Sequence, residues 1–344
     1  MDVGEFDYDL PGDRIAQAPA AARDASRLLL VDRASGALED HVFRELPDLL
    51  RPSDLLVVND SRVIPARVFA RDAAGAEVEI LFVEPVTERR WRALVRPGRR
   101  CRAGAGLVAG GGAPARLRVV AVEDDGLRVV ESLDGTIDDV LATHGLPPLP
   151  PYIARHAAPA AEDRERYQTV YGRAPGSVAA PTAGLHFSAD VLARLAGRGI
   201  EVTALTLHVG PATFRPIRTA RVEDHPLPAE RVTLPAATAA AVNAARADRR
   251  RVVAVGTTAT RALEGLARGD GTLEAYDGRV GLYIRPGHRF RVVGALLTNF
   301  HLPRTSLLVL VSAFAGRERI LRAYRHAIDA GYRFYSYGDA TLIV

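Results

Sequence analysis

The hydrophobic pattern of the chain changes twice, and this change constrains the fold more than any other feature of the sequence. Residues 1–66 contain two apolar strand candidates, Leu28 to Val31 and Leu55 to Val58. From residue 67 onward, apolar and polar residues alternate in short runs separated by turn signals, which is typical of a small β-barrel or sandwich. After Tyr152, helical periods alternate with strand-like runs, which is typical of an α/β domain.

This pattern predicts an α/β fold that is interrupted by a small all-β module. We expect a mixed, barrel-like α/β domain formed by residues 1–66 and 153–344, and an inserted β-barrel domain formed by residues 67–152. The length of 344 residues agrees with two domains, because single cores usually stop growing near about 250–300 residues. The glycine-rich run from Gly104 to Gly112 does not lead into a helix, as dinucleotide-binding loops do, and is therefore expected to be a hairpin loop.

Composition excludes several classes of function. All 45 basic residues are arginines, which excludes Walker A phosphate loops and enzymes that need a Schiff-base lysine. The single cysteine, Cys101, excludes internal disulfides, and the nine histidines show no HExxH motif, so no metal site is expected. The apolar stretch from Leu307 to Ala315 is too short to span a bilayer, and the chain begins without a basic leader, so we expect a soluble cytoplasmic protein.

Four segments carry polar or small residues at the predicted ends of strands. Asn59 to Arg67 and Leu207 to Gly210 each end a strand, whereas Gly176 to Ser188 and Gly256 to Arg261 lead into helix N-termini. Glycines and helix N-termini let backbone N–H groups approach a ligand closely. Because ligands of α/β folds gather at the carboxyl ends of strands, these segments predict a pocket. Each segment alone is also compatible with turn glycines, a capped helix or a hydrogen-bonded histidine.

At these segments the chain resembles the S-adenosylmethionine:tRNA ribosyltransferase-isomerase family of queuosine biosynthesis. The resemblance extends over essentially the whole chain and implies an α/β domain interrupted by a β-barrel, in agreement with the periodicity. The matching stretches are Phe6 to Pro11, Arg23 to Leu28, Asn59 to Arg67, Gly176 to Ser188, Val255 to Glu264, Leu297 to Pro303, Ala313 to Gly316 and Tyr337 to Ala340.

The resemblance also implies a reaction. S-adenosylmethionine donates its ribosyl part to the aminomethyl group of 7-aminomethyl-7-deazaguanine in the tRNA anticodon loop, giving epoxyqueuosine-tRNA, adenine and methionine. S-adenosylmethionine is then a co-substrate, and no cofactor, metal or membrane is expected. A base must remove the ribose proton next to the sulfonium, and an acid or a strong hydrogen-bond donor must help adenine to leave. Each such proton transfer typically contributes about 10²–10⁴-fold to the rate.

Candidate residues for this chemistry follow from the matching motifs. The titratable candidates for proton transfer are His208, His225, His301 and Asp60, with the roles of base and acid left open among them. Those expected to bind donor or acceptor are Asn59, Arg62, Arg67, Thr182, Gly184, His186, Gly210, Glu230, Thr257, Thr258, Arg261 and Asn299.

Departures from the family pattern bear on the acceptor. Where the family usually has His-x-Met-His-x-Glu, the segment from His225 to Glu230 has proline in place of the second histidine. The segment from Gly278 to Ile284 lacks a threonine hydroxyl, and Ala212 stands where a glycine is expected. Because lost hydrogen-bonding groups change which polar substrate fits, the second hypothesis keeps the chemistry and takes a free deazapurine or another small amine as acceptor.

A third hypothesis is a non-catalytic RNA-binding protein that uses its barrel as a platform for single strands. The formal net charge of +4 permits a nucleic-acid partner without requiring one. Such platforms need several aromatic residues interleaved with arginines. Residues 67–155 offer only Phe69, Phe82, Trp91 and Tyr152, which disfavours this hypothesis.

Overall fold

The computed structural model describes residues 1–110, 113–154, 162–211 and 216–344. Within these ranges the strands are β1 Arg27–Val31, β2 Leu38–Val42, β3 Leu55–Asn59, β4 Ser61–Val63, β5 Arg67–Asp72, β6 Glu77–Thr87, β7 Arg90–Arg96, β8 Gly106–Ala109, β9 Ala115–Val122, β10 Arg128–Ser132, β11 Ala174–Ser177, β12 Glu201–Leu207, β13 Glu230–Leu234, β14 Val252–Val255, β15 Tyr276–Val280, β16 Ala295–Asn299 and β17 Ala340–Ile343. The α-helices are α1 Leu46–Leu49, α2 Ile137–His144, α3 Asp163–Arg166, α4 Ala189–Gly197, α5 Ala236–Ala247, α6 Gly256–Leu266, α7 Ser306–Ala315 and α8 Arg317–Asp329.

Nine of these strands form a mixed sheet in the order β15-β13-β12-β3-β14-β16-β17-β1-β2. The central strands β12, β3, β14 and β16 run parallel, so their carboxyl ends lie at one edge of the sheet. Alternate residues of β3 enter two different cores: Leu55 and Val57 pack with α5 to α8, and Leu56 and Val58 pack with α1 and α4. Helices on both faces explain why β14 and the first four residues of β3 are apolar and buried. The predicted mixed α/β class is confirmed, with β15 and β2 as edge strands.

The predicted β-barrel is also confirmed. Six antiparallel strands close in the order β10-β7-β6-β5-β8-β9. Its interior is filled by alternate apolar residues such as Val68, Ile80 and Phe82. Helix α2, which strand periodicity did not predict, packs Ile137 and Leu141 against the same core.

One prediction within the barrel is wrong. The run from Gly104 to Gly112 was expected to be a hairpin loop, but Gly106–Ala109 form β8. The side chains of Leu107 and Ala109 are buried in the barrel, so their alternation outweighs the high glycine content. Gly111 and Gly112 lie outside the described residues.

The two ends of the insertion are joined where the chain enters the barrel. Arg67 and Leu146 exchange two backbone hydrogen bonds, of 3.2 and 2.8 Å. The buried Arg67 guanidinium pairs with Glu79 at 2.9 Å and donates to the carbonyl of Leu149 at 2.7 Å. These contacts close the long loop that carries the barrel, although the exact domain limits at residues 66/67 and 152/153 stay a prediction.

No helix in the described ranges is long and apolar enough to cross a bilayer. The apolar stretch from Leu307 to Ala315 forms most of the 10-residue helix α7. Most of its side chains are buried in the main hydrophobic core.

A pair of substitutions in β8 tests its place in the barrel wall. We expect Leu107→Ala to lower the free energy of unfolding by about 2–5 kcal/mol. The Leu107 side chain is only 1% exposed, so its truncation leaves a cavity in the barrel core. The neighbouring Val108→Ala is the control, since Val108 is 44% exposed and its replacement should cost less than about 1 kcal/mol. Denaturant unfolding measures both, and equal losses would contradict the assignment of β8.

Candidate active site

The carboxyl ends of the central strands enclose a small cavity of about 20 Å³. The segments that follow β12, β14 and β16 meet there with the 3-10 helix Thr182–His186, so the predicted loops do converge. The lining residues are Ala180, Pro181, Thr182, Ala183, Val209, Gly256, Thr257, Thr258, Thr298, Asn299, His301, Leu307 and Tyr335.

Helix α6 begins directly at this cavity. Gly256 takes a φ of +90° between β14 and the helix, a conformation that glycine adopts without steric cost. No side chain in the described part of the chain caps the N-terminus of α6, and Thr257 and Thr258 of its first turn are buried in the lining. Backbone N–H groups of an uncapped first turn favour a hydrogen-bond acceptor or negative charge.

Asn59 and Asp60 hold the end of β3 in place. The Asn59 side chain donates to the carbonyl of Leu207 at 2.9 Å and accepts from the N–H groups of Leu207 and Ser61 at 3.0 and 3.1 Å. Asp60 accepts from the hydroxyl of Thr206 at 2.6 Å and pairs with Arg173 at 3.1 Å. Both predicted site residues therefore use their polar atoms within the protein, which favours a positioning role.

His186 and His301 are fully buried and uncharged. Burial, with Arg333 nearby, lowers the pKa of His186 to about 3, and burial lowers the pKa of His301 to about 3. His186 hydrogen bonds to Ser26 at 2.7 Å and to Asn299 at 3.2 Å. His301 lines the small cavity and hydrogen bonds to Thr298 at 3.1 Å.

A second, larger space separates the barrel from the sheet edge and is called the interdomain cleft. Its volume is about 600 Å³. The barrel contributes Val83, Glu84, Pro85, Trp91, Arg92 and Leu94, and the α/β domain contributes Pro175, Gly176, His208, Val209, Gly210, Pro211 and the segment from Leu227 to Arg231. Val209 also lines the small cavity, so the two spaces adjoin.

His208 is the titratable histidine that the structure places in this cleft. Its Nδ1 is buried and has no hydrogen-bond partner in the part of the chain that the structure describes. Burial and then the positive charge of Arg231 lower the pKa of His208, so its imidazole is neutral at pH 7. Gly176, at φ +138°, faces the ring, and a Cβ there would lie 2.8 Å from Cε1 and Nδ1. Only glycine leaves the imidazole this space.

A buried ion pair supports the wall beside His208. The Arg261 guanidinium lies 2.5 Å from Glu230, and the two side chains are 3% and 7% exposed. The other carboxylate oxygen of Glu230 accepts from the N–H of Gly210 at 2.9 Å. The pair therefore fixes the backbone that follows His208.

Other predicted residues lie at the periphery. Arg62 is exposed on β4, whereas Arg67 is buried in the junction described above, which favours a structural role for Arg67. Gly184 leaves no room for a Cβ beside Tyr171 and Thr169. His225 contacts the ring of Tyr283 edge-on at 6.0 Å and lines neither the cleft nor the cavity as the described residues define them. Ala212 lies outside the described residues.

The barrel residues that line the cleft were not predicted from the sequence. Glu84 of β6 accepts from Arg92 at 2.6 Å and from Arg279 of β15 at 3.0 Å, so it connects barrel and sheet across the cleft. None of these residues has a local sequence signal, because only tertiary packing brings β6 and β15 together. Among the described residues, no group of three or more histidine, cysteine or acidic side chains could hold a metal ion.

Comparison with known proteins agrees with this arrangement. Residues 3–343 match the family described as Queuosine biosynthesis protein. The chain belongs to this family. It is 52% identical to the S-adenosylmethionine:tRNA ribosyltransferase-isomerase of Anaeromyxobacter sp. (strain Fw109-5), over 100% of this chain and 99% of the relative. A protein of the same name from Symbiobacterium thermophilum is 48% identical over 100% of both chains.

A solved structure in the queuosine biosynthesis family supports the fold. The crystal structure of S-adenosylmethionine tRNA ribosyltransferase from Thermotoga maritima is 36% identical to this chain, with a TM-score of 0.57. The likeness covers 99% of this chain and 100% of that one, so barrel and α/β domain both have counterparts there.

The Glu230–Arg261 pair predicts a large effect on stability. We expect Glu230→Leu to lower the free energy of unfolding by about 3–5 kcal/mol, because it leaves a buried guanidinium without its counter-charge. The exposed Arg268–Glu274 pair, whose side chains are 59% and 64% exposed, is the control. Glu274→Leu should cost less than about 1 kcal/mol. Thermal unfolding of both variants compares them, and similar losses would show that the buried pair is not a stabilising contact.

Proposed function

We propose that this protein is an enzyme that transfers and isomerises the ribosyl moiety of S-adenosylmethionine onto 7-aminomethyl-7-deazaguanine in tRNA. The products are epoxyqueuosine-tRNA, adenine and methionine. The observation that carries the proposal is the position of His208, a neutral imidazole in the interdomain cleft, in a chain that matches relatives of this activity by name over its full length. The tRNA acceptor places the enzyme in the cytoplasm.

The donor would bind along the sheet edge, from the small cavity to the cleft. Residues 176–188, 208–211 and 256–261 form this rim, and the glycines at 176, 210 and 256 let the backbone approach the ligand. S-adenosylmethionine is the co-substrate, and the chemistry requires no metal or bound cofactor.

His208 would act as the base. The sulfonium acidifies the adjacent ribose carbon, and a neutral imidazole whose Nδ1 has no protein partner can accept the proton. His301 and Thr298 line the small cavity and could assist the departing adenine, while Asp60 acts on His208 through its negative charge. His225 lies outside this group, and any role for it would need movement of the segment from His225 to Glu230.

The acceptor would enter from the barrel side of the cleft. Arg231 and Arg279 line the cleft with side chains that are 62% and 54% exposed, so they can contact phosphates at its mouth. A tRNA acceptor offers phosphates to these two arginines, whereas a free deazapurine carries none; the same lining also holds Glu84, Asp125, Asp138 and Glu230. The names of the relatives likewise do not favour the small-molecule hypothesis.

The direct test is an incubation with S-adenosylmethionine and two acceptors, an anticodon stem-loop carrying 7-aminomethyl-7-deazaguanine and the free base. Mass spectrometry should detect the modified stem-loop and released adenine. Faster turnover of the free base would favour the small-molecule hypothesis, and the absence of adenine release with either acceptor would contradict the proposal.

Replacement of His208 tests its role as base. We expect His208→Ala to lower kcat by about 10²-fold or more, and His225→Ala to lower it less, because only His208 lines the cleft. In the unmodified protein kcat/KM should stay flat from alkaline pH through pH 6.5 and fall only at lower pH, because burial lowers the pKa of His208 below that value and only the neutral ring accepts a proton. A larger loss in His225→Ala would assign the base to His225.

Salt dependence tests the acceptor. The affinity for the stem-loop should fall with salt by a log–log slope of roughly −0.7 for each single-strand phosphate contact. Arg231→Ala and Arg62→Ala should each make the slope shallower by roughly this amount if they contact phosphates. Arg116, which is exposed on the barrel and paired with Asp134, provides the control: Arg116→Ala should leave the slope unchanged. A slope near zero in the unmodified protein would argue against a tRNA acceptor.

A further inference from the structure

Among the described residues, one side-chain polar atom in the lining of the small cavity has no hydrogen-bond partner. Asn299, at the end of β16, is 2% exposed and lines the cavity. Its Oδ1 is buried and has no hydrogen-bond partner among the described residues. A buried acceptor without a partner destabilises the protein, so such an atom is a candidate ligand contact.

The orientation of this amide follows from the chemistry of its neighbours. The Nδ2 of Asn299 lies 3.1 Å from the carbonyl oxygen of Tyr335, which can only accept a hydrogen bond. The atom at this position must therefore be the amide nitrogen, and Oδ1 must be the amide atom that has no hydrogen-bond partner. The same Nδ2 lies 3.2 Å from Nε2 of His186, which consequently acts as an acceptor.

A chain of hydrogen bonds holds this orientation. Because Nε2 of His186 accepts, its Nδ1 carries the proton and donates to Ser26 at 2.7 Å, and Ser26 donates to the carbonyl of Arg23 at 3.4 Å. Burial, with Arg333, lowers the pKa of His186 to about 3, so the ring does not gain the second proton that would break the chain. The free Oδ1 is thus preorganised as an acceptor.

The lining of the cavity determines which kind of group can donate a hydrogen bond to Oδ1. Threonines and a neutral His301 surround it, and its lining has no acidic side chain in the described part of the chain. A buried ammonium without a carboxylate would be costly, so a neutral amino group fits better than the cationic amine of an amino acid. The volume of about 20 Å³ accommodates one group of this size rather than a whole ring.

We propose that Asn299 determines the specificity for the donor base by accepting a hydrogen bond from the exocyclic amino group of adenine. This inference rests on the proposed function, which supplies an adenine-containing donor. Val209 lines both spaces, so the amino group can occupy the small cavity while the rest of the donor lies towards the cleft that contains His208.

A 6-oxo base cannot make this contact, because it presents an oxygen acceptor to Oδ1. The unmodified protein should therefore prefer S-adenosylmethionine over its 6-oxo analogue by at least about 10-fold in kcat/KM. In Asn299→Leu this ratio should fall to within about 3-fold of one, because the leucine cannot accept a hydrogen bond. The ratio is the readout, since a merely structural role would lower both rates and leave it unchanged.

Asn243→Leu is the matched control. Asn243 on α5 also makes two side-chain hydrogen bonds, to the carbonyl and N–H of Leu273 at 2.8 and 2.9 Å, and it lines neither the cavity nor the cleft. Its replacement should leave the donor ratio unchanged. Asn299→Ala is the second variant if Asn299→Leu does not fold, and it should also lose the preference.

Binding measurements separate failure of this inference from failure of the proposed function. If no acceptor is modified, calorimetric titration with adenosine and inosine still compares the amino and oxo bases. A preference for adenosine that Asn299→Ala abolishes would support the role of Asn299 without the proposed reaction. No preference in the unmodified protein, or a preference that survives in both Asn299 variants, would overturn the inference.

Discussion

The interdomain cleft depends on the attachment of the barrel to the sheet at Arg67. A guanidinium buried at this junction must be paired, and Glu79 and the carbonyl of Leu149 satisfy it with atoms from both ends of the inserted segment. The backbone hydrogen bonds between Arg67 and Leu146 complete the attachment. This junction helps to position the barrel, whose Trp91 and Arg92 line the same cleft as His208.

Inside the site, charge is either paired or absent. Glu230 and Arg261 neutralise each other beneath Gly210, and burial keeps His186 and His301 uncharged. The side chains of Asn59 and Asp60 form hydrogen bonds with the neighbouring strand β12. Nδ1 of His208 and Oδ1 of Asn299 have no partner among the described residues, and Val209 lines both of the spaces that these two residues line. A buried polar atom without a protein partner requires an explanation, and contact with a ligand is one.

Residues that belong to the same motif therefore have different tasks. In the segment from Asn59 to Arg67, one side chain ties strands together, one is an exposed cation and one anchors the barrel. In the altered segment from His225 to Glu230, the glutamate supports the cleft while the histidine lies against Tyr283 outside it. A motif indicates that a segment is near the site, but burial and partners decide whether a given side chain faces the ligand.

The sequence by itself determined the order of the domains and the edge at which the site forms. Periodicity of two in the insertion and alternating helices and strands around it are local properties, and the carboxyl ends of parallel strands meet at one edge wherever they occur. Only the tertiary structure decided that Gly106–Ala109 join the barrel, that Glu84 reaches Arg279, and that the Asn299 amide directs its nitrogen to the carbonyl of Tyr335. These outcomes depend on contacts between residues far apart in the chain, such as the carbonyl of Tyr335 that fixes the Asn299 amide, and no local pattern encodes such a contact.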